Sequence, residues 1–326
     1  MSTSLISKSM DTNALTLRAR FLADGDQNDL PIIDAHHHFW DVDRNYHPWL
    51  RDKPPIPFRY GDYSRICHNF LPADYQREVG SHHVVNTVMM EGEWDPQDPL
   101  GEARWASGLA AEAGWPGAMA GQIWLDREDV ADVIAAYKDV PLVRSVRHKP
   151  RTVAFDEYRS DFAAAGSMRC SRWRDGYARL ADAGLMFELQ APWWHFKEAE
   201  ALAQDFPSVT IVVNHTGLPV DRSEAGLRAW GAALHGLAAY PNVMMKISGL
   251  GEKGVAWTAA RHRRVVLDAI DMFTAERCMF ASNFPVDGVV TRLESIFTGF
   301  KEIVSALPKQ DQLRLFYGTA QHTYRL

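Results

Sequence analysis

Eight short apolar runs recur from residue 31 onward, at residues 32–35, 84–90, 118–124, 140–146, 185–189, 209–213, 243–247 and 278–281. Most are rich in Val, Ile, Met or Phe, as strands buried on both faces should be. Segments able to form helices lie between them, among them 126–138, 196–204, 225–239 and 257–273. Eight buried strands alternating with helices predict a parallel (β/α)8 TIM barrel. A doubly wound open sheet is the competing arrangement, but no glycine-rich phosphate or dinucleotide loop favours it. The length of 326 residues suits one such barrel, which takes roughly 250 residues plus insertions.

Residues 1–30 are polar and show little periodicity, and they end in a Gly-Asp-Gln-Asn-Asp cluster. They read as an N-terminal extension with one short helix around residues 12–22, ahead of a barrel over residues 31–326. Two irregular regions, 41–75 and 149–173, follow the first and fourth runs. In a barrel, loops after strands sit on the catalytic face, so both are expected to wall a pocket. The net charge of -6 argues against a nucleic-acid partner, because phosphate binding needs a basic face. Cys67, Cys170 and Cys278 are far apart and form no disulfide framework, so a reducing, cytoplasmic location is expected. No stretch has the composition of a membrane helix or a secretory signal, and no membrane association is expected. Trp40, Trp49, Trp94, Trp193 and Trp194 fall near polar motifs and suggest an aromatic-walled pocket, with plain core packing as the alternative.

Chemistry gathers at the ends of the runs. Residues 32–40 read Ile-Ile-Asp-Ala-His-His-His-Phe-Trp. Residues two apart on a strand share a side, so His36 and His38 project together and His37 points away. Two imidazoles so placed can bind one divalent metal or polarise one carbonyl. The sixth run ends in Asn214-His215-Thr216-Gly217 and the eighth in Ser282-Asn283-Phe284-Pro285-Val286-Asp287. Asn283 carries no titratable carboxylate and cannot be a general base. Arg147, followed by His148 and Lys149, can fork onto a substrate carboxylate or carbonyl, or belong to a solvated basic loop. Glu91, Glu93 and Asp95 follow the second run, and Glu188 and Gln190 lie at the fifth. Each either enters the pocket or pairs on its rim, and Lys246 and Ser248 at the seventh share that ambiguity.

The His-x-His motif, the Asn-His-x-Gly at the sixth run and the Ser-Asn-Phe-Pro-Val at the eighth resemble the amidohydrolase superfamily. The branch they suggest is the amidohydrolase-2 group containing sugar lactonases and 2-pyrone-4,6-dicarboxylate lactonase. The opening Asp34-Ala-His-His-His-Phe-Trp-Asp41, followed by Tyr46-His-Pro-Trp-Leu50, is similar to the start of fuconolactonase-like members. Phe316-Tyr-Gly-Thr-Ala320 with Tyr324-Arg-Leu326 resembles their C-terminal helix. The resemblance covers about residues 31–326. It implies a (β/α)8 barrel, hydrolysis of a cyclic ester, and His36, His38 and His215 facing the pocket. Members differ in metal use. The likeness therefore implies either one divalent ion, zinc or manganese, on those three histidines, or a metal-independent site. The family pattern has Asp at the end of the eighth strand, where it activates water; here that position is Asn283.

The expected reaction is water attack on the carbonyl of a small lactone carrying a carboxylate or hydroxyls. His36, His38 and His215 polarise the carbonyl, directly or through a metal. Arg147 and His148 hold the anionic group, and Trp40, Tyr46 and Trp49 wall the ring. Asp287, Glu91 or Glu188 is the base. Two alternatives stand beside this. One is a metal-dependent decarboxylase of an aromatic or unsaturated carboxylic acid. The other is a non-catalytic barrel that binds a small anion, for which Asn283 speaks. Pairing into a homo-oligomer is left open.

Overall fold

The computed structural model describes residues 3–326, with side chains from residue 12 onward; the first two residues of the N-terminal extension lie outside the described residues. The strands are β1 (Ile32–His37), β2 (Val84–Met90), β3 (Ala118–Gln122), β4 (Val143–Arg147), β5 (Met186–Leu189), β6 (Ile211–Val213), β7 (Val243–Ile247) and β8 (Cys278–Phe280). They lie in chain order in one sheet, each parallel to the next. Helices connect them on the outside, so both strand faces are covered, and β3, β5, β6 and β8 are buried at every residue. This is the predicted (β/α)8 barrel.

Closure is made just past the last strand. His37 and Phe284 form a parallel bridge. The His38 N–H donates to the Phe284 carbonyl at 2.8 Å, and the Asn283 N–H donates to the His36 carbonyl at 2.7 Å. The seam between the first and last strands therefore runs through the residues that the motifs singled out.

Strand parity builds a polar layer inside. Ser145 and Arg147 on β4 share one side, as do Glu188 and Gln190 at β5. Sequence patterning places the fourth strand at 140–146, but it begins at Val143. Residues 140–143 form a turn, with the Val143 N–H on the Val140 carbonyl at 3.0 Å, and the strand runs one residue past the apolar run, to Arg147.

The first helix, α1 (Thr3–Asp24), is twice the length read from the sequence. Ala14, Leu17 and Phe21 recur at helical spacing and are buried in the common core. The ammonium of Lys309 donates to the Leu22 and Ala23 carbonyls at the C-terminal end of α1, at 3.2 and 2.8 Å. That supplies partners for two of the acceptors a helix end leaves unsatisfied. The two long loops are tied down rather than loose. Trp40 and Phe70 exchange backbone hydrogen bonds at 3.0 and 2.9 Å. The Trp194 indole donates to the Val153 carbonyl at 2.9 Å. No helix among the described residues is long and apolar enough to cross a membrane.

Candidate active site

β1 delivers His36 and His38 to one side, and the end of β6 brings His215 to meet them. The His36 ring lies 5.3 Å from that of His38 and 4.5 Å from that of His215. His37 faces the other way, against Phe39 at 4.4 Å and Tyr75 at 5.0 Å. Burial holds the three clustered imidazoles well below their ordinary range. Neighbouring cations push the same way: Lys246 on His36, Arg147 on His38 and Arg59 on His215. All three are therefore neutral near pH 7.

Their hydrogen bonds decide what each can do. His38 Nδ1 lies 3.1 Å from the Met90 carbonyl. A carbonyl only accepts, so Nδ1 carries the hydrogen and Nε2 keeps its lone pair. His215 Nδ1 lies 3.0 Å from Ser248 Oγ. A hydroxyl donates or accepts there, so His215 Nε2 is a hydrogen donor in the tautomer whose Nδ1 accepts from Ser248. Both ring nitrogens of His36 are buried without a partner.

Asp34 holds this arrangement from behind. It accepts from Ser282 N at 2.9 Å, Ser282 Oγ at 2.5 Å, Tyr75 OH at 2.6 Å and His36 N at 3.2 Å. Burial raises its pKa, while the bonds from Ser282 and Tyr75 oppose the rise. Neither Asp34 nor Tyr75 carried a functional signal in the sequence beyond the motif around the histidines. Strain gathers at the same end of the barrel. His215, Thr216, Leu218, Glu93 and Asn283 all take left-handed backbone conformations, with φ between 54° and 57°.

The three carboxylates expected as bases are each committed elsewhere. Glu91 Oε1 pairs with Arg147 Nε at 2.5 Å, and its Oε2 accepts from the Glu93 N–H at 2.7 Å. Glu188 is buried in the barrel interior. It pairs with Lys246 Nζ at 2.9 Å and accepts from Asn214, Ser145 and Tyr324. Burial lowers the Lys246 pKa to about 8 against the pull of Glu188. Asp287 Oδ1 takes Arg59 at 2.9 Å, Tyr60 OH at 2.9 Å and Asn283 Nδ2 at 2.7 Å. Burial raises Asp287, opposed first by Arg59.

The expected substrate contacts divide in the same way. Arg147 lines the cavity, but its guanidinium is bound to Glu91 and, at 3.2 Å, to Gln190 Oε1, so it is not a free fork for a carboxylate. The Nδ1 of His148 accepts from Leu125 N at 3.0 Å and Trp173 Nε1 at 2.9 Å, and burial pushes its pKa down to about 4. It is neutral and fastens the helix layer instead of holding an anion. Tyr46 is exposed and donates to Asp52 at 2.7 Å, away from the histidines. Trp40 is fully buried behind His38, with its indole on the His68 carbonyl at 2.8 Å. Trp193 and Trp194 pack on Phe155 in the loop after β4.

A cavity of about 310 Å³ opens onto His38, His215 and Asn283, walled by Trp49, Phe58 and Arg59, with Lys149 at its edge. Asn283 has its amide NH2 on Asp287, so its carbonyl oxygen is the atom left for the cavity. Lys149 belongs to the basic segment that the sequence singled out, whereas Arg59 is a cation that sequence reasoning passed over. The only signal for Arg59 was its place in the Arg- and Tyr-rich loop after β1.

Lone pairs are present on His36 and His38. Among the described residues no group of three or more His, Cys, Asp or Glu side chains is arranged to hold an ion. The carboxylate that a strand-end Asp would add is the Asn283 amide.

Comparison with known proteins bears on the family and the fold. The family model described as amidohydrolase matches residues 33–326. The protein y4mH of Sinorhizobium fredii is 35% identical over 299 residues, covering 92% of this chain and 100% of its own length. L-fucono-1,5-lactonase of Burkholderia multivorans is 28% identical over 307 residues, covering 90% of this chain and 96% of that one. A crystal structure of a B. multivorans amidohydrolase with bound zinc shares the fold, with a TM-score of 0.73 at 21% identity over 90% of this chain and 99% of that one.

Proposed function

Because the chain belongs to the amidohydrolase family, we propose that it hydrolyses a small lactone to a hydroxy acid, using neutral histidines directly on water and carbonyl. The observation that carries this reading is the Met90 carbonyl on His38 Nδ1. It fixes a lone pair on His38 Nε2 at the cavity wall, where the three carboxylates are already occupied. The similarity to L-fucono-1,5-lactonase supports a cyclic ester as substrate.

In this mechanism His38 Nε2 accepts a proton from water as the oxygen attacks the lactone carbonyl. The carbonyl oxygen becomes an oxyanion. His215 donates to it from Nε2–H, in the tautomer whose Nδ1 accepts from Ser248 Oγ. One such donor is typically worth roughly 3–4 kcal/mol in the transition state. Collapse of the intermediate breaks the ring C–O bond. The leaving alkoxide stays attached to the product and takes the proton held by His38. The acid so formed loses its remaining proton to solvent, and the carboxylate lies near Arg59 and Lys149; these cations favour a substrate that is anionic or hydroxylated. A weak base suffices, because no leaving group has to escape.

The test is a lactone panel followed by release of acid, with metal content measured and activity assayed before and after chelation. Less than about 0.1 metal per chain with activity intact is expected. His38→Asn should lower kcat by about 10²-fold with little change in KM. About one zinc or manganese per chain, with activity lost on chelation, would overturn the direct role of the histidines. Release of carbon dioxide from an aromatic acid would replace the reading with a decarboxylase. A ligand that raises Tm yet is never turned over would leave a binding barrel.

A further inference from the structure

Beside the histidine cavity lies a second chamber of about 450 Å³. The two share Trp49, Ile56, Glu93, Arg147 and Lys149 in their walls, so they adjoin. The Lys149–Glu93 ion pair stands at their common border. Beyond it the lining turns apolar: Trp94, Trp124, Ile123 and Pro54 join Trp49 and Ile56.

Its three indoles come from three different connections and are each fixed. Trp49 donates to the Gly92 carbonyl at 2.8 Å. Trp94 packs between His47 at 5.2 Å and Trp105 at 6.1 Å. Trp124 lies under the Arg127 guanidinium at 5.4 Å, and Arg127 is in turn held by Asp129 at 2.7 and 2.8 Å and by the Pro96 carbonyl at 3.0 Å. At the rim Ile56 is 49% exposed, an apolar side chain left facing the opening. Rigid flat walls with a polar border recognise a flat apolar group joined to a polar one. An apolar cavity of roughly 150 Å³ already holds a benzene ring, so this chamber has room for a ring and its linker.

We infer that the chamber receives an aryl arm of the substrate, so the lactone opened at the histidines carries an aromatic substituent rather than being a bare sugar lactone. This rests on the lactone-hydrolase reading above. The Lys149–Glu93 pair meets the polar junction between ring and arm, and the indoles enclose the arm.

The test compares δ-valerolactone with its δ-phenyl derivative as substrates. It also measures binding of 3-phenylpropionate and of acetate by calorimetry. The phenyl lactone should show a kcat/KM about tenfold or more above the parent, within the range that apolar pockets supply. Trp124→Ala and Trp124→Asp should each reduce that ratio about fivefold while leaving the parent lactone within about twofold. They should also weaken 3-phenylpropionate in parallel and leave acetate unchanged. Equal turnover of both lactones, with no preference for 3-phenylpropionate over acetate, overturns the inference and leaves lactone hydrolysis standing. Tight 3-phenylpropionate binding that the variants weaken, with neither lactone opened, keeps the aryl site and overturns the hydrolase reading.

Discussion

Asn283 is gripped on two sides, its backbone N–H by the His36 carbonyl and its amide by Asp287. Restoring the family carboxylate there sets two carboxylates at the 2.7 Å separation that the amide now spans. Both cannot ionise at that distance. Asn283→Asp is therefore expected to lower kcat/KM about tenfold or more; increased activity would mean that an extra carboxylate is what the site lacks. Gly249 makes a similar demand. A Cβ there would stand 2.6 Å from His215 Nδ1, and its φ is 62°. Displacing that ring breaks the Ser248 contact, so Gly249→Ala should cost about 10²-fold in kcat while far-UV circular dichroism stays unchanged. His36 and His38 were legible because a period of two is local. Tyr75 on Asp34, and Arg59 on Asp287, were not, since those partners lie 41 and 228 positions away.

At the scale of elements, the apolar runs located all eight strands because a barrel strand is covered on both faces and needs no alternation. Their ends were less legible. The short turn before β4 is as apolar as the strand it precedes, so patterning cannot separate them. Two helices carry N-caps that mark their starts: Ser223 accepts from Gly226 N, and Thr258 from Arg261 N. The helix α1 was half hidden, because among the residues whose side chains are described its buried stripe is Ala14, Leu17 and Phe21 in a polar surround. If that stripe anchors the helix, Phe21→Ala should lower unfolding stability by about 3–5 kcal/mol, the cost of a large core truncation. Urea denaturation checks this, and a loss below about 0.5 kcal/mol would mean that α1 is a passenger.

Across the whole molecule, buried histidines tie stability to pH. The pKa values of His148 and His262 are lowered to about 4 in the folded chain. The unfolded chain takes up those protons near pH 6.5, while the folded chain does not until about pH 4. Stability contributed by these groups is thus present above pH 6.5 and lost between 6.5 and 4. Asp34, Glu102 and Asp287, raised by burial, work in the opposite direction. A variant isolates the first effect. His148→Asn keeps an acceptor for Leu125 and Trp173 but cannot titrate. Between pH 6 and 4.5 wild type should lose up to about 1.4 kcal/mol per pH unit more than this variant; parallel denaturation curves would refute that assignment.

The seam where β1 meets the end of β8 has one more consequence. The bonds that close the barrel there also seat His36, His38 and Asn283. A sheet that is still open has lost the floor of its pocket, however complete its helices are. Turnover is therefore expected to act as a checksum on the chain, absent until the last strand end meets the first.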